Sequence, residues 1–333
     1  MADSRWTEVK ERGNYWGMKA LMVLYAWGGK WLMYPVLLVV VFYFFISNRE
    51  TRRCSLAYLQ RVNREKGGNW AQPNLWLSWR HYMAFADALF QRASAWLGHI
   101  KLKDITFEEK EEILSLTRQR KGVIILGSHA GNLEMSRAVI GEEDVVMNVV
   151  VNSRHTEQFN RLLRSLSSSV DVNLIAMDEL TPATAISIRE KLDRGECLVL
   201  LADRIAQGSE NRKIAARFLG DDVFLPEGAF RLAVALGAPV VFMSCVKAAN
   251  GYEVVYDNIG EKVKQRAASA KRGDRVQALA AVYLDALSDL CKAHPLQWFN
   301  FYDYWGDFTP QTQKELNQQS LTEEATRSIG KND

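Results

Sequence analysis

A histidine and an acidic residue stand five positions apart in residues 128–134, which read SHAGNLE. On one continuous helix, which turns about 100° per residue, His129 and Glu134 would lie about 140° apart and could not meet. If His129 lies in the turn before a helix and Glu134 in its first turns, the carboxylate can point back to the imidazole, fix its tautomer and stabilise the imidazolium. Gly131 allows a tight turn, and the amides of the helix N-terminus would face the same space. The spacing therefore predicts a general base beside a site that stabilises an anion.

Other catalytic motifs built from these residue types do not match. A nucleophile elbow of the form G-x-S-x-G needs glycines two residues on either side of Ser128, where Leu126 and Ala130 stand. None of the five histidines begins an H-E-x-x-H zinc helix, and the four cysteines form no zinc-type cluster. The sequence therefore predicts neither a metal nor another cofactor. A structural role, with His129 capping a helix beside a solvated Glu134, stays open.

Short β-branched or aliphatic runs alternate with helical stretches from residue 121 onward. These predicted strands cover residues 122–127, 145–151, 172–176, 197–202 and 240–246. The alternation predicts an α/β domain with a mixed, largely covered sheet and flanking helices, in which His129 follows the first strand. Before this domain we expect helices over residues 50–66 and 73–97, and a third that begins at Thr106, where Glu109 completes a capping spacing.

The N-terminal region is apolar and rich in tryptophan. Residues 31–46 carry no charge, and as a helix they would span about 24 Å, short of the ~30 Å hydrocarbon core of a bilayer. Basic residues flank both ends of the apolar region, and eight of the ten tryptophans precede residue 97, as interfacial anchors do. We expect shallow or re-entrant membrane contact of residues 15–46 from the cytoplasmic side. The charged residues 49–53 disfavour a cleaved signal peptide, and a buried core helix is the alternative.

Length and composition limit the classes of protein to which the chain can belong. A formal net charge of +3, with 48% hydrophobic residues, excludes a disordered polymer and a strongly basic nucleic-acid binder. The 333 residues allow about two domains, and the scattered cysteines indicate reduced thiols in a protein that faces the cytosol. The predicted organisation is a membrane-associated segment (1–48), a helical region (49–120), an α/β domain (121–308) and a polar, disordered tail (309–333).

Three sequence blocks resemble a known enzyme family. Residues 128–134 are similar to the H-x-G-N-x-E form of the H-x4-D/E motif in the lysophospholipid acyltransferase superfamily, specifically its bacterial lipid A biosynthesis (late) acyltransferase branch. Residues 224–228 (FLPEG) resemble the proline-glutamate-glycine block of the superfamily, and residues 237–240 (GAPV) resemble its apolar-proline block. The resemblance covers about residues 12–305 in matching order.

The resemblance implies a reaction and a set of site residues. A fatty acyl chain would move from a thioester of acyl carrier protein or coenzyme A to a hydroxyl or amine of a lipid A-like glycolipid or related envelope lipid, at the cytoplasmic face of a bacterial inner membrane. His129 would be the general base, oriented by Glu134, without a covalent acyl-enzyme, and helix-terminal amides would hold the oxyanion. The implied substrate-binding residues are Asn132, Arg154, Arg204, Glu227 and Gly228, with the two arginines as candidates for binding an anion.

One departure from the family pattern concerns the acceptor. Lipid A enzymes usually carry two acidic residues separated by one residue around Ala202-Asp203-Arg204, and Ile205 stands where the second would be. The acceptor therefore stays open among an aminolipid, a glycolipid and a pigment-like polyene alcohol. Two other functions also stay open: a membrane-anchored thioesterase, in which the same histidine activates water, and a non-catalytic scaffold of a lipid-modifying pathway.

Six basic side chains cluster within fourteen residues near the C-terminal end of the α/β domain. They are Lys262, Lys264, Arg266, Lys271, Arg272 and Arg275, with Asp274 as the one acid among them. A basic face could dock an acidic acyl carrier protein or bind the phosphates of acyl-coenzyme A, whereas a solvated loop is the alternative.

Overall fold

A computed structural model describes residues 34–96, 102–133, 135–136, 145–151, 172–176, 182–205, 212–267 and 271–306. Its helices are α1 (described over residues 34–47), α2 (Arg49–Glu65), α3 (Leu75–Trp96), α4 (Lys110–Arg118), α5 (Pro182–Asp193), α6 (Glu227–Leu236), α7 (Ile259–Arg266) and α8 (Arg272–Ala293). Its strands are β1 (Ile105–Thr106), β2 (Val123–Gly127), β3 (Met147–Val151), β4 (Val172–Ala176), β5 (Cys197–Leu201), β6 (Lys213–Phe218), β7 (Asp221–Pro226), β8 (Val240–Ala248) and β9 (Gly251–Asp257).

The described strands form a seven-stranded sheet in the order β1-β9-β8-β2-β5-β3-β4. Strands β8, β2, β5, β3 and β4 run parallel to one another. Strand β9 pairs antiparallel with β8, and the edge strand β1 pairs parallel with β9. Helices flank this sheet, so the predicted mixed α/β architecture is confirmed. All five strands predicted from the sequence are present, with ends that differ by two residues or fewer.

The central strand β2 is covered on both faces. All of its residues are buried. Ile124 and Leu126 belong to one core cluster and Val123 and Ile125 to another, as expected when alternate side chains of a strand point to opposite faces. This double burial explains why the strand reads as a continuous aliphatic run instead of an alternating one.

The helices before the sheet follow the sequence prediction in part. Asn48 caps α2, with its side chain accepting the Thr51 amide at 3.1 Å. The next helix begins at Leu75 and not at residue 73, because Asn74 accepts the Leu77 amide at 2.9 Å as a capping residue. The capping role predicted for Thr106 is wrong.

Thr106 lies in strand β1, paired with Glu253 of β9, so its backbone is extended. The helix that follows begins at Lys110, and Glu109 at its N-cap makes no side-chain cap bond. A pairing partner distant in sequence therefore overrode a local helix-start signal.

Helix α1 packs one side on α3 and exposes the other. Val41 is buried with Tyr82 and Ala86, and the Phe45 ring meets the Tyr82 ring at 5.2 Å between centroids. Eight large apolar side chains of residues 34–47 are exposed: Tyr34, Val36, Val39, Val40, Phe42, Tyr43, Phe44 and Ile46. A buried core helix is therefore excluded for these residues.

The described part of the chain contains no helix that is both long enough and apolar enough to cross a membrane. Residues 1–33 and 307–333, where the sequence predicts the start of the membrane-associated segment and the whole polar tail, lie outside the described residues.

Candidate active site

His129 and Asp203 meet at the carboxyl edge of the sheet. His129 follows β2 by two residues, and Asp203 follows β5 by two residues. The two strands are parallel neighbours, with Gly127 paired to Leu201. Because the carboxyl ends of adjacent parallel strands lie side by side, residues that are 74 positions apart in sequence come into contact.

The Asp203 carboxylate holds the His129 ring through Nδ1. The distance from His129 Nδ1 to Asp203 Oδ1 is 2.8 Å. Asp203 Oδ2 accepts the His129 backbone amide at 2.9 Å and the Trp298 indole N–H at 3.1 Å. A carboxylate only accepts, so Nδ1 is the protonated nitrogen of the neutral ring and Nε2 carries the lone pair. Asp203 is fully buried, whereas the His129 side chain is 31% exposed.

The electrostatics keep Asp203 ionised. Burial by itself would raise the pKa of the carboxyl, but the charge and hydrogen bonds of His129, together with the Arg204 charge, lower it from 3.8 to about 2. The stability that this pairing contributes is therefore present above pH 3.8 and is lost as the pH falls towards 2. At neutral pH the carboxylate is a permanent acceptor for the imidazole.

Residues 129–131 run antiparallel beside residues 297–299. Phe299 donates its amide to the His129 carbonyl at 3.0 Å, and Gly131 donates its amide to the Gln297 carbonyl at 2.7 Å. Gly131 has a φ of +61°, and a Cβ at this position would lie 2.1 Å from the Cys245 carbonyl oxygen. Glycine is therefore required for this turn, as the sequence predicts.

The first amides after β2 do not form the expected oxyanion site. The His129 amide binds Asp203, and the Ala130 amide binds the Ser128 hydroxyl at 3.2 Å. The Gly131 amide binds Gln297, and the Asn132 amide binds the Cys245 carbonyl at 2.6 Å. The amides of residues 129–132 are therefore all paired, because neighbouring segments and the Ser128 side chain accept from them. The amides of the helix that begins after residue 132 remain predicted oxyanion donors.

Comparison with known proteins identifies the family. The model of the bacterial lipid A biosynthesis acyltransferase family matches residues 82–306, which is 225 of 333 residues. The chain belongs to this family. The matched region includes His129, Asp203 and Trp298, and the family assignment makes acyl transfer the general reaction. No curated protein matches the chain significantly.

Two other predicted site residues, Asn132 and Arg204, lie close in sequence to His129 and Asp203. Asn132 is 2% exposed, and neither its side-chain nitrogen nor its side-chain oxygen has a hydrogen-bond partner within the described part of the chain. Arg204 follows Asp203 directly and donates from Nη2 to the Phe299 carbonyl at 2.6 Å. Its guanidinium lies 5.7 Å from the centre of the Tyr302 ring. Arg204 therefore contacts the segment that also contacts His129.

Glu227 and Gly228 are the first two residues of helix α6, directly after β7. The Glu227 carboxylate accepts from Arg231, one turn along the same helix, at 3.2 Å. A Cβ at Gly228 would meet nothing within 4 Å, so open space surrounds it. Their predicted role in shaping an acceptor site remains a prediction.

The side chains of Glu134 and Arg154 lie outside the described residues, so their roles also stay predictions. The Asp203 carboxylate contacts the His129 imidazole, which is the kind of contact that the sequence predicts for Glu134. Two residues of this site were missed: Asp203 and Trp298. For Asp203 a signal exists, since an acidic residue directly after a predicted strand is expected at the same sheet edge as His129. Trp298 carries no local signal.

Proposed function

We propose that the protein transfers a fatty acyl chain from an acyl thioester to a hydroxyl or amine of a lipid A-like glycolipid or related envelope lipid. The observation that carries this proposal is the pairing of a partly exposed imidazole, His129, with a buried ionised carboxylate, Asp203. Such a pair can take up a proton at Nε2 while the carboxylate stabilises the imidazolium that forms.

The proposed reaction needs no covalent enzyme intermediate. His129 Nε2 removes the proton of the acceptor hydroxyl or amine as that atom attacks the thioester carbonyl. The tetrahedral intermediate then collapses, the carbon–sulfur bond breaks, and the imidazolium returns the proton to the thiolate that leaves. The acylated lipid and the free thiol of the carrier are the products.

A donor for the oxyanion must come from outside the amides of residues 129–132. We assign this role to the side-chain N–H of Asn132, which is three residues from His129 and has no partner among the described residues. A buried amide without a partner carries an energetic cost that substrate binding would relieve. Arg204, and Arg154 if it lies nearby, would bind a phosphate or another anion of the acceptor, while Glu227 and Gly228 would shape the acceptor site.

We propose that helix α1 contacts the cytoplasmic face of a bacterial inner membrane. Its exposed side carries Val39, Phe42 and Ile46, which are 69%, 56% and 58% exposed. A patch of this kind on a surface helix marks a membrane or protein contact. The location would bring the lipid acceptor to a site that otherwise faces water.

Charged residues on α1 should weaken membrane binding. Replacing Val39 and Phe42 with aspartate removes two apolar contacts, each worth roughly tenfold or more in affinity. The measurement is co-sedimentation with vesicles of phosphatidylethanolamine and phosphatidylglycerol. Ile186→Asp is the matched control, because Ile186 is 64% exposed on α5. Equal binding by wild type and the α1 variant, or complete release of wild type by high salt alone, would contradict insertion.

The donor is proposed to be an acyl carrier protein, or acyl-coenzyme A, bound by the basic cluster of residues 262–275. The positive charge of this cluster is partly neutralised, because Lys262, Lys264 and Arg266 each pair with an acidic side chain. These side chains remain 51% to 73% exposed. Exposed pairs contribute little to stability and can exchange partners, so the cluster remains available to an acidic protein.

Reversing Lys264, Arg266 and Lys271 to glutamate should raise KM for an acyl carrier donor and flatten its dependence on salt, while a short thioester analogue reacts as before. A control triple variant with Arg118, Arg189 and Arg194 reversed makes the same charge change at other exposed arginines that form ion pairs. Steady-state kinetics with both donors is the measurement. An equal rise in KM for the two triple variants would show that only net charge matters, and an equal loss with the analogue would indicate a fold or membrane defect.

The acceptor is best identified from the lipids of the host cell. Total lipid extracts of a deletion strain and the wild-type strain should differ by the mass of one acyl chain on one lipid class, and the wild-type gene should restore it. Restoration by His129→Ala would favour the scaffold function. Identical lipid extracts, with free fatty acid as the product of the purified protein, would favour the thioesterase.

A further inference from the structure

Trp298 is tied to the catalytic pair through both its side chain and its backbone. It is 1% exposed, and its indole N–H donates to Asp203 Oδ2 at 3.1 Å. Its backbone bridges to Ala130, and Phe299 next to it donates to the His129 carbonyl. An indole N–H only donates, so this contact needs an acceptor oxygen at this position, which the Asp203 carboxylate supplies.

His81 contacts the backbone carbonyl of Trp298. The fully buried His81 lies with Nε2 2.9 Å from the Trp298 carbonyl oxygen and Nδ1 3.0 Å from the Ser55 hydroxyl. A carbonyl only accepts, so Nε2 carries the proton and Nδ1 accepts from Ser55. Ser78 donates to Ser55 at 2.9 Å. Burial lowers the pKa of His81 to about 4, against the opposing effect of the Trp298 carbonyl, so the ring is neutral at neutral pH.

The donors of this chain all point towards Asp203. They run from Ser78 to Ser55, from Ser55 to His81, from His81 to the Trp298 carbonyl, and from the Trp298 indole to Asp203. The first three residues are fully buried on α2 and α3, outside the sheet that bears His129. Buried networks that are fully satisfied tend to fix one arrangement.

We propose that Trp298 is a positioning residue for the Asp203–His129 pair, and that His81 fixes Trp298 in turn. Trp298 acts through Asp203: its N–H keeps the carboxylate in the orientation in which Oδ1 accepts the proton on His129 Nδ1. The effect on acyl transfer rests on the proposed function above, whereas the effect on the His129 tautomer does not.

The test compares two tryptophans of one aromatic cluster. Trp298→Phe removes the N–H that Asp203 accepts. Trp305→Phe makes the same chemical change 6.0 Å away between ring centres, where the N–H donates to the Phe218 carbonyl. Histidine labelled with nitrogen-15 reports the tautomer of each ring, and His129→Ala identifies the His129 signals among the five histidines.

In wild type and Trp305→Phe, we expect a neutral His129 ring protonated at Nδ1 and a His81 ring protonated at Nε2. In Trp298→Phe, His129 should become a mixture of both tautomers. An unchanged His129 tautomer in folded Trp298→Phe would overturn the proposal. If this variant does not fold, 3-benzothienylalanine at position 298 replaces the N–H with sulfur in a ring of the same shape. A mixture of His129 tautomers then supports the proposal, and an unchanged tautomer overturns it.

Kinetics separates this inference from the proposed function. If the protein is an acyltransferase, Trp298→Phe should lower kcat between roughly tenfold and a hundredfold with KM nearly unchanged, because a misplaced base affects the chemical step and not binding. Equal kcat values for the Trp298 and Trp305 variants would overturn the positioning role alone. If wild type transfers no acyl group to any lipid, the proposed function fails, and the tautomer result still decides the role of Trp298.

Discussion

Replacing His129 with alanine is expected to lower kcat/KM for acyl transfer by at least about 10²- to 10⁴-fold, the usual contribution of a general base. His129 is the partly exposed residue of the pair, and its ring is the group that would take the acceptor proton. The measurement is the initial rate of label transfer from a labelled acyl thioester to lipid, made alongside thermal unfolding to establish that the variant is folded.

The loss should fall mainly on kcat, because a general base acts in the transition state and contributes little to binding of the ground state. A folded His129→Ala protein that transfers acyl groups at nearly the wild-type rate would exclude His129 as the base. The structural alternative, a histidine that only caps a helix, predicts that outcome together with a lower melting temperature.

Replacing Asp203 with asparagine should have an effect of similar size, roughly 10²- to 10⁴-fold on kcat. The three N–H groups that reach Asp203 need an acceptor, and an amide offers one oxygen and two donors. The His129 ring would then populate the tautomer with its proton on Nε2, which cannot accept a proton from the substrate. The measurement is the same transfer assay, with the ring tautomer read by nitrogen-15 resonance.

Comparison with Glu134→Ala assigns the roles of the two acidic residues. The sequence predicts that loss of Glu134 costs as much as loss of His129 or somewhat less, whereas the contact with Nδ1 belongs to Asp203. If Asp203→Asn retains the wild-type rate and tautomer while Glu134→Ala loses both, then Glu134 orients the base and the role assigned to Asp203 is wrong. Asp203→Leu should also destabilise the protein by about 1–3 kcal/mol, because it leaves buried donors without an acceptor.

Much of the sheet could be predicted from the sequence because its strands are buried on both faces. The aliphatic run before His129 is one example, and it places the histidine at the end of β2. The hairpin of β6 and β7 was not predicted. Its two-residue turn has Leu219 at φ +48° and Gly220 at φ +81°, and leucine is not the residue type that marks such a turn.

The partner of His129 could not be derived from spacing in one segment. Contact between His129 and Asp203 depends on β5 lying beside β2, although the described chain forms β3 and β4 between them in sequence. That strand order is a property of the whole sheet. The role of Trp298 likewise depends on residues 297–299 returning to lie beside residues 129–131. Local patterns thus predicted where His129 stands relative to β2, and the strand order determined what its side chain contacts.

The most direct test of the account follows one labelled acyl thioester to its product. Purified wild-type protein, lipid extract from the deletion strain and labelled acyl carrier protein are mixed, and the label is divided between acylated lipid and free fatty acid. We expect wild type to place the label on lipid, and neither His129→Ala nor Asp203→Asn to do so above background. Label found only in free fatty acid, or equal lipid acylation by wild type and both variants, would contradict acyl transfer by the His129–Asp203 pair.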